Sequence, residues 1–134
     1  MSVIVTDTGF TTDHLDLGFT TIDDAQDGQP IDLPSDCDPM SLHNQVLTAP
    51  AIRIDFPTSH DGRGFTIAAQ LRRMGYKGRL RARGQVLADQ YAMARRSGFD
   101  EVEISNDLAT RQPEDQWLAR ANWQAHSYQN RLRA

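Results

Sequence analysis

The residues in this chain best equipped for chemistry lie together in the run His60-Asp61-Gly62-Arg63-Gly64. Its two glycines allow the backbone to approach a partner closely. Arg63 offers a planar fork of N–H donors suited to a phosphate, sulfate or carboxylate. A helix starting at Arg63 would add its own unsatisfied N–H groups and positive end at the same place. Arg81 and Arg83, spaced to share one face of a strand, and Asp89 just beyond them complete a ligand-binding set of Asp61, Gly62, Arg63, Arg81, Arg83 and Asp89. The chemistry this implies is capture of a small anion. No catalytic residue is assigned, because no nucleophile stands at a position matched to Asp89. A structural reading competes for the same residues. It makes Asp61 a helix N-cap, Gly62 a turn residue and Arg63 a partner of Asp55 or Asp89. Asp89 then pairs with Arg63 or with an arginine in the run Arg79 to Arg83.

Positioning these residues requires alternating strands and helices. Ala51-Ile52-Arg53-Ile54-Asp55-Phe56 alternates and stops at Pro57, as a strand does. Ile67, Ala68, Leu71 and Met74 fall on one face of a helix over Arg63 to Met74. Arg79-Leu80-Arg81-Ala82-Arg83 alternates strictly, with Leu80 and Ala82 on one side and three arginines on the other. Gly84 turns the chain into a helix over Gln85 to Ser97. Val102 and Ile104 then mark a strand, Ser105-Asn106-Asp107 a loop, and Pro113 the opening of a last helix that contains Trp117, Leu118 and Ala121. A repeat punctuates this order: Arg72-Arg73-Met74-Gly75-Tyr76 returns as Arg95-Arg96-Ser97-Gly98-Phe99. In each copy the arginine pair suits the negative end of a helix, the glycine closes it with left-handed backbone, and the aromatic folds back onto the core.

The pattern predicts an α/β fold, a small parallel-sheet βαβαβα core over residues 51–130 with right-handed crossovers. It leaves open whether the sheet is a three-layer arrangement or part of a barrel. Ligands of such sheets gather beyond the carboxyl ends of the strands, which points to the loops Pro57 to Arg63, Arg83 to Gln85 and Ser105 to Asp107. Residues 1–50 read as an irregular, partly β, acidic segment of the same single domain. Strands are expected at Val3 to Thr6 and Leu15 to Thr20, with turn positions at Gly9 and Asp13-His14. Asp, Gly, Pro and Ser make Asp23 to Asp38 a long loop, and Asp38-Pro39 opens a short helix over Met40 to Leu47. The tail beyond Tyr128 is expected to fray.

With 134 residues, 39% hydrophobic and 24% charged, the chain is of single-domain size and ordinary globular composition. No apolar run reaches the length of a membrane span, and the N-terminus has neither the basic start nor the apolar stretch of a signal peptide. The single cysteine, Cys37, has no partner for a disulfide, and its acidic neighbours do not favour a thiolate. A cytoplasmic protein is expected. The net charge of −4 hides a segregation: nine Asp and no Lys or Arg up to Ile52, then ten basic residues against three acids from Arg53 to Arg96. Either the acidic segment neutralises the basic centre within one fold, or the asymmetry marks a partner surface. The arginines are scattered over helix ends and one strand, and the overall charge is acidic, which argues against nucleic acid as the partner. His14, His43, His60 and His126 show no metal-ligand spacing. Phosphate-loop, dinucleotide and nucleophile-elbow motifs are missing, as are flavin, haem and iron–sulfur signatures, so no cofactor is assigned. A homo-oligomer is left open.

A compound pattern runs from Ile52 to Ile104: Asp55-Phe56-Pro57, Asp61-Gly62-Arg63-Gly64-Phe65, Leu71-Arg72-Arg73-Met74-Gly75-Tyr76-Lys77-Gly78, Leu80-Arg81-Ala82-Arg83-Gly84, Val86-Leu87-Ala88-Asp89-Gln90 and Gly98-Phe99-Asp100. It resembles a bacterial family of unknown function (domain of unknown function 934) whose members are commonly labelled "probable oxidoreductase involved in sulfite reduction". The resemblance implies a small protein of assimilatory sulfate and sulfite reduction, with sulfite reductase or another sulfur-assimilation protein as its partner. The family pattern carries a Cys where this chain has Ser97, so a redox role resting on that cysteine does not transfer. An accessory or binding protein is the expected function, and a cofactor-dependent oxidoreductase subunit the alternative.

Overall fold

The computed structural model describes residues 2–12, 18–24, 28–41 and 44–126. Among the described residues, seven strands form one sheet: β1 (Ser2–Thr6), β2 (Gly9–Thr12), β3 (Thr20–Thr21), β4 (Ile31–Leu33), β5 (Ala51–Phe56), β6 (Arg79–Gly84) and β7 (Glu101–Ser105). Their spatial order is β2-β1-β7-β6-β5-β4-β3. β3 to β7 run parallel in sequential order, and β1 joins β7 antiparallel with β2 beside it as a hairpin. The helices are α1 (Arg63–Arg73), α2 (Tyr91–Ser97), α3 (Asn106–Arg111) and α4 (Glu114–Leu118). The fold is therefore α/β with a mostly parallel sheet, as the alternation in the sequence predicts.

Consecutive parallel strands with right-handed crossovers place their helices on one side of the sheet. The core agrees with that geometry. Ile52, Ile54, Phe56, Leu80, Ala82, Val102 and Ile104 from the strands join Phe65, Ile67, Ala68, Leu71, Tyr91, Ala94, Leu108 and Trp117 from the helices in one buried cluster. Phe56, Phe65 and Phe99 meet at ring-centroid distances of 5.0 to 6.5 Å. The period of two then sends Arg53, Asp55, Arg79, Arg81, Arg83, Glu101 and Glu103 to the opposite face.

Both copies of the repeat end their helices in the same way. Gly75 N–H donates to Arg72 O and Tyr76 N–H to Leu71 O; Gly98 N–H donates to Arg95 O and Phe99 N–H to Ala94 O. This is the Schellman arrangement, with φ of 100° at Gly75 and 117° at Gly98. The first arginine of each pair also turns back on its own cap: Arg72 Nη1 donates to Tyr76 O, and Arg95 Nη1 to Phe99 O.

Several elements differ from the sequence expectation. The stretch Asp23 to Asp38 is not loop throughout, because Ile31 and Leu33 are buried and the strand between them pairs with β5. Three residues between Pro30 and Pro34 are too short for a periodic signal, and only the waiting edge of β5 makes them a strand. The described part of Met40 to Leu47 is 3₁₀ rather than α-helical, in Pro39–Ser41 and Asn44–Thr48, with residues 42–43 outside the description. Asp38 does cap the first, its Oδ1 accepting from Met40 N–H at 3.1 Å. The turn of the first hairpin is Asp7-Thr8, and Gly9 already belongs to β2. The Ser105-Asn106-Asp107 loop is the start of α3, with the Ser105 hydroxyl accepting from Leu108 N–H at 3.1 Å. The helix expected from Gln85 begins as a 3₁₀ turn at Ala88–Gln90. The expected strand from Leu15, the turn at Asp13-His14, His43, the side chain of His126 and the tail beyond Tyr128 fall wholly or partly outside the described residues.

Candidate functional site

The parallel strands carry a ladder of charges on the face away from the helices. Strand register sets Asp32 beside Arg53, Arg53 beside Arg81, Arg81 beside Glu101, and Arg83 beside both Asp55 and Glu103. Arg53 grips Asp32 through Nε at 2.6 Å and reaches Glu103 at 3.2 Å. Arg81, only 1% exposed, contacts Glu103 at 2.8 Å and Glu101 at 3.0 Å. Arg79 adds a 3.0 Å contact to Glu101. Phe19 lies over this ladder, its ring centroid 4.3 Å from the Arg53 guanidinium carbon and 5.4 Å from that of Arg81. The hydrogen bonds and charge of Asp32, followed by the charge of Glu103, outweigh the cost of burial and hold the Arg53 pKa above its ordinary value.

At the carboxyl ends of the strands this ladder runs out, and there the face opens. A cavity of about 320 Å³ is lined by Ser2, Asp55, Phe56, Arg83, Gln85 and Ser105, among others. A second, of about 390 Å³, lies against Ile22, Leu33 and Pro34 and shares Asp55 and Arg83 with the first. Arg83 is half exposed, and its ion pair is a long one, Nε to Glu103 Oε2 at 3.3 Å. Asp55 makes no ion pair or side-chain hydrogen bond with any described residue. These two side chains are the part of the charged face with capacity to spare.

The predicted binding set does not converge on one point. Asp61 and Arg63 close on each other: Arg63 donates to Asp61 through Nε at 2.9 Å, through Nη2 at 2.7 Å and through its backbone N–H at 3.1 Å. Those hydrogen bonds from Arg63 hold the Asp61 carboxyl well below the usual carboxylate range. The chain thus places its own carboxylate at the start of α1, where an anion was expected. Arg63 Nη2 also donates to the Ser35 hydroxyl at 3.0 Å, so its partners are neither Asp55 nor Asp89. The second glycine of the run is there for packing, since a Cβ on Gly64 would run into the ring of Phe56. Gly62 is the N-cap of α1. Arg81 is spent in the buried ladder, and Arg83 alone of the set lines the two cavities at the strand ends. Asp89 is largely exposed and pairs with Arg120 Nη2 at 2.6 Å rather than with an arginine of β6 or with Arg63.

A third cavity, of about 320 Å³, lies between the β4–β5 connection and α1 and includes Cys37, Arg63 and Gln70. Burial, followed by the charges of Asp38 and Asp36, pushes the Cys37 thiol pKa up, which disfavours a thiolate.

The charge segregation along the sequence does not survive folding. Asp7 and Asp32 of the acidic segment pair with Arg95 and Arg53, but most of the basic centre is met by Asp100 and by Glu101 and Glu103 of the strand that follows it. Asp55 and Glu103 are the site residues that sequence reasoning left out. The signal was present: charges two apart in Arg53-Ile54-Asp55, Arg79 to Arg83 and Glu101-Val102-Glu103 must share a face once the strands are parallel and in register.

The model of one family, described as bacterial protein of unknown function (DUF934), matches residues 30–134. The chain belongs to this family. The match reaches beyond the Ile52 to Ile104 pattern at both ends and takes in β4 to β7 and all four α-helices. No curated protein and no solved structure matches the chain.

Proposed function

We propose that the protein is an accessory, ligand-binding component of assimilatory sulfite reduction, holding a small anion or the anionic group of a small molecule at the carboxyl ends of β5, β6 and β7. The observation that carries the binding half is the position of Arg83. It is the cation shared by two adjoining cavities at the end of a parallel sheet where ligands collect, and its Nη groups have no hydrogen bond among the described residues. A guanidinium in that state can offer two parallel donors to an oxyanion. The Ser105 hydroxyl lines the same cavity and donates to no described residue, so a second donor is at hand. The pathway half is supported by the resemblance of the Ile52 to Ile104 pattern to proteins labelled for sulfite reduction. The partner in this reading is sulfite reductase or another protein of sulfur assimilation.

Deletion of the gene, with growth on sulfate, sulfite or cysteine as sole sulfur source, tests the reading. The expected result is a growth defect on sulfate that cysteine relieves. Wild-type and Arg63→Ala copies should restore growth on sulfate, and an Arg83→Gln copy should not. Unimpaired growth of the deletion strain on sulfate would speak against the pathway. Full complementation by Arg83→Gln would speak against the site.

A further inference from the structure

We infer that the ligand of this site carries a cationic donor as well as an anionic group, so that Asp55 and Arg83 together select a zwitterion of the amino-acid class. The inference rests on the reading above that Arg83 grips the anionic group. Asp55 and Arg83 are register partners on neighbouring strands and the same face. Side chains so placed have Cβ atoms about 5 Å apart, and opposite charges there normally pair. These two do not. Arg83 leans to Glu103 at 3.3 Å, and the partly buried carboxylate of Asp55 is left with no partner among the described residues.

Charge balance separates the ligand classes. Asp32 is held by Arg53, and Glu103 by Arg53 and Arg81, so those carboxylates are already neutralised. What the two cavities share is one carboxylate without a partner among the described residues and one half-used guanidinium; Asp23, exposed, lines the outer part of the second cavity only. A bare oxyanion would satisfy Arg83 and be repelled by Asp55; a bare amine would do the reverse. A molecule with an ammonium and a carboxylate on one carbon satisfies both at once and adds no net charge. Both side chains line both cavities, so such a head group can sit between them. The cavity with Ile22, Leu33 and Pro34, whose carboxylates Asp32 and Asp23 are respectively held by Arg53 and turned to solvent, is then placed to take an apolar side chain, and the one with Ser2, Glu103 and Ser105 to surround the polar end.

Isothermal titration calorimetry on the full chain tests this with L-leucine and glycine, each beside its two halves. These are isoamylamine and 4-methylpentanoate for leucine, and methylamine and acetate for glycine; sulfate and sulfite are titrated in parallel. Leucine should bind at least about tenfold more tightly than either of its halves, a difference of roughly 1.4 kcal/mol. It should also bind more tightly than glycine. Asp55→Asn should erase the advantage of leucine over 4-methylpentanoate, and Arg83→Gln its advantage over isoamylamine. Should a variant fail to fold, the comparison of whole and half ligands on the wild-type protein still decides. Leucine and glycine binding no better than their halves overturns the inference. Binding of sulfate or sulfite without leucine or glycine also overturns it while leaving the anion site standing, and silence from every probe overturns both.

Discussion

The guanidinium of Arg72, in the last turn of α1, donates twice to the carbonyl of Gly98, through Nε at 3.1 Å and Nη2 at 2.8 Å. The same side chain reaches Tyr76 O at 3.0 Å and Gly78 O at 2.9 Å, so one arginine ties the end of the first repeat to the end of the second. The two helix-closing glycines are consequently unequal. A Cβ on Gly75 would meet nothing within 4 Å, whereas one on Gly98 would come within 2.7 Å of Arg72 Cγ. Gly75→Ala should cost about 1 kcal/mol, the strain of a positive φ alone. Gly98→Ala should cost clearly more, because Arg72 must also give up its place. Urea denaturation of the two variants checks the order.

The buried ladder leads to a second inequality. Glu103 is contacted by Arg53, Arg81 and Arg83; without its charge Arg53 keeps Asp32 and Arg81 keeps Glu101, but the buried ladder is left with an excess of positive charge. Glu103→Gln should destabilise by about 3 kcal/mol, as loss of one partner in a buried ion network does. Arg81→Met should cost less, since Glu101 keeps Arg79 and Glu103 keeps Arg53 and Arg83. Chemical denaturation of both variants tests the ranking.

Asp89 and Arg120 form an exposed pair, and exposed pairs contribute little. A double-mutant cycle of Asp89→Asn with Arg120→Gln should give a coupling below about 1 kcal/mol. Asp89 combined with Arg81 or Arg83 should give additive effects.

Asp7 governs a pH dependence. Its carboxylate, in the turn between β1 and β2, accepts hydrogen bonds from Tyr91 Oη at 2.5 Å, Trp123 Nε1 at 3.3 Å and the Arg95 guanidinium at 3.2 to 3.3 Å. Burial pulls its pKa upward, but these donors outweigh burial and the net shift is downward. Burial, and the hydrogen bond to Asp7, push the Tyr91 hydroxyl up in turn, so it stays a neutral donor. A carboxylate with a lowered folded pKa stabilises the protein above its unfolded pKa of about 4, and that contribution fades as the pH falls through the folded value. Wild-type protein should therefore exceed Asp7→Asn in melting temperature at pH 7. The gap should close on acidification below about pH 4. Melts across pH 2.5 to 7 measure it.

The middle of the fold was legible because its signals are local. Strict alternation at Arg79 to Arg83, the one-sided apolar face of α1 and the repeated Arg-Arg-x-Gly-aromatic run each specify an element without reference to the rest of the chain. Strand β4 was not legible, since three residues become a strand only when β5 offers them an edge. The site was half legible for a related reason. Arg83 could be singled out as a charge at a strand end, but which carboxylate would lie free beside it depends on register between strands. The Asp61–Arg63 pair shows the opposite failure: residues two apart satisfied each other, and a local arrangement that looks ready for an anion was filled by the chain itself.

Strand β7 owes its second neighbour to the hairpin at the start of the chain, with Ser2 to Val5 paired to Val102 to Ser105. The family match begins at residue 30 and so stops short of that hairpin. Without residues 2–12, the Glu101–Ser105 backbone would present a row of unsatisfied amides and carbonyls, a template for strand addition from another molecule. The hairpin thus satisfies that side of β7 and hands the role of edge strand to the short β2, where the Glu114 carboxylate already takes the Phe10 N–H.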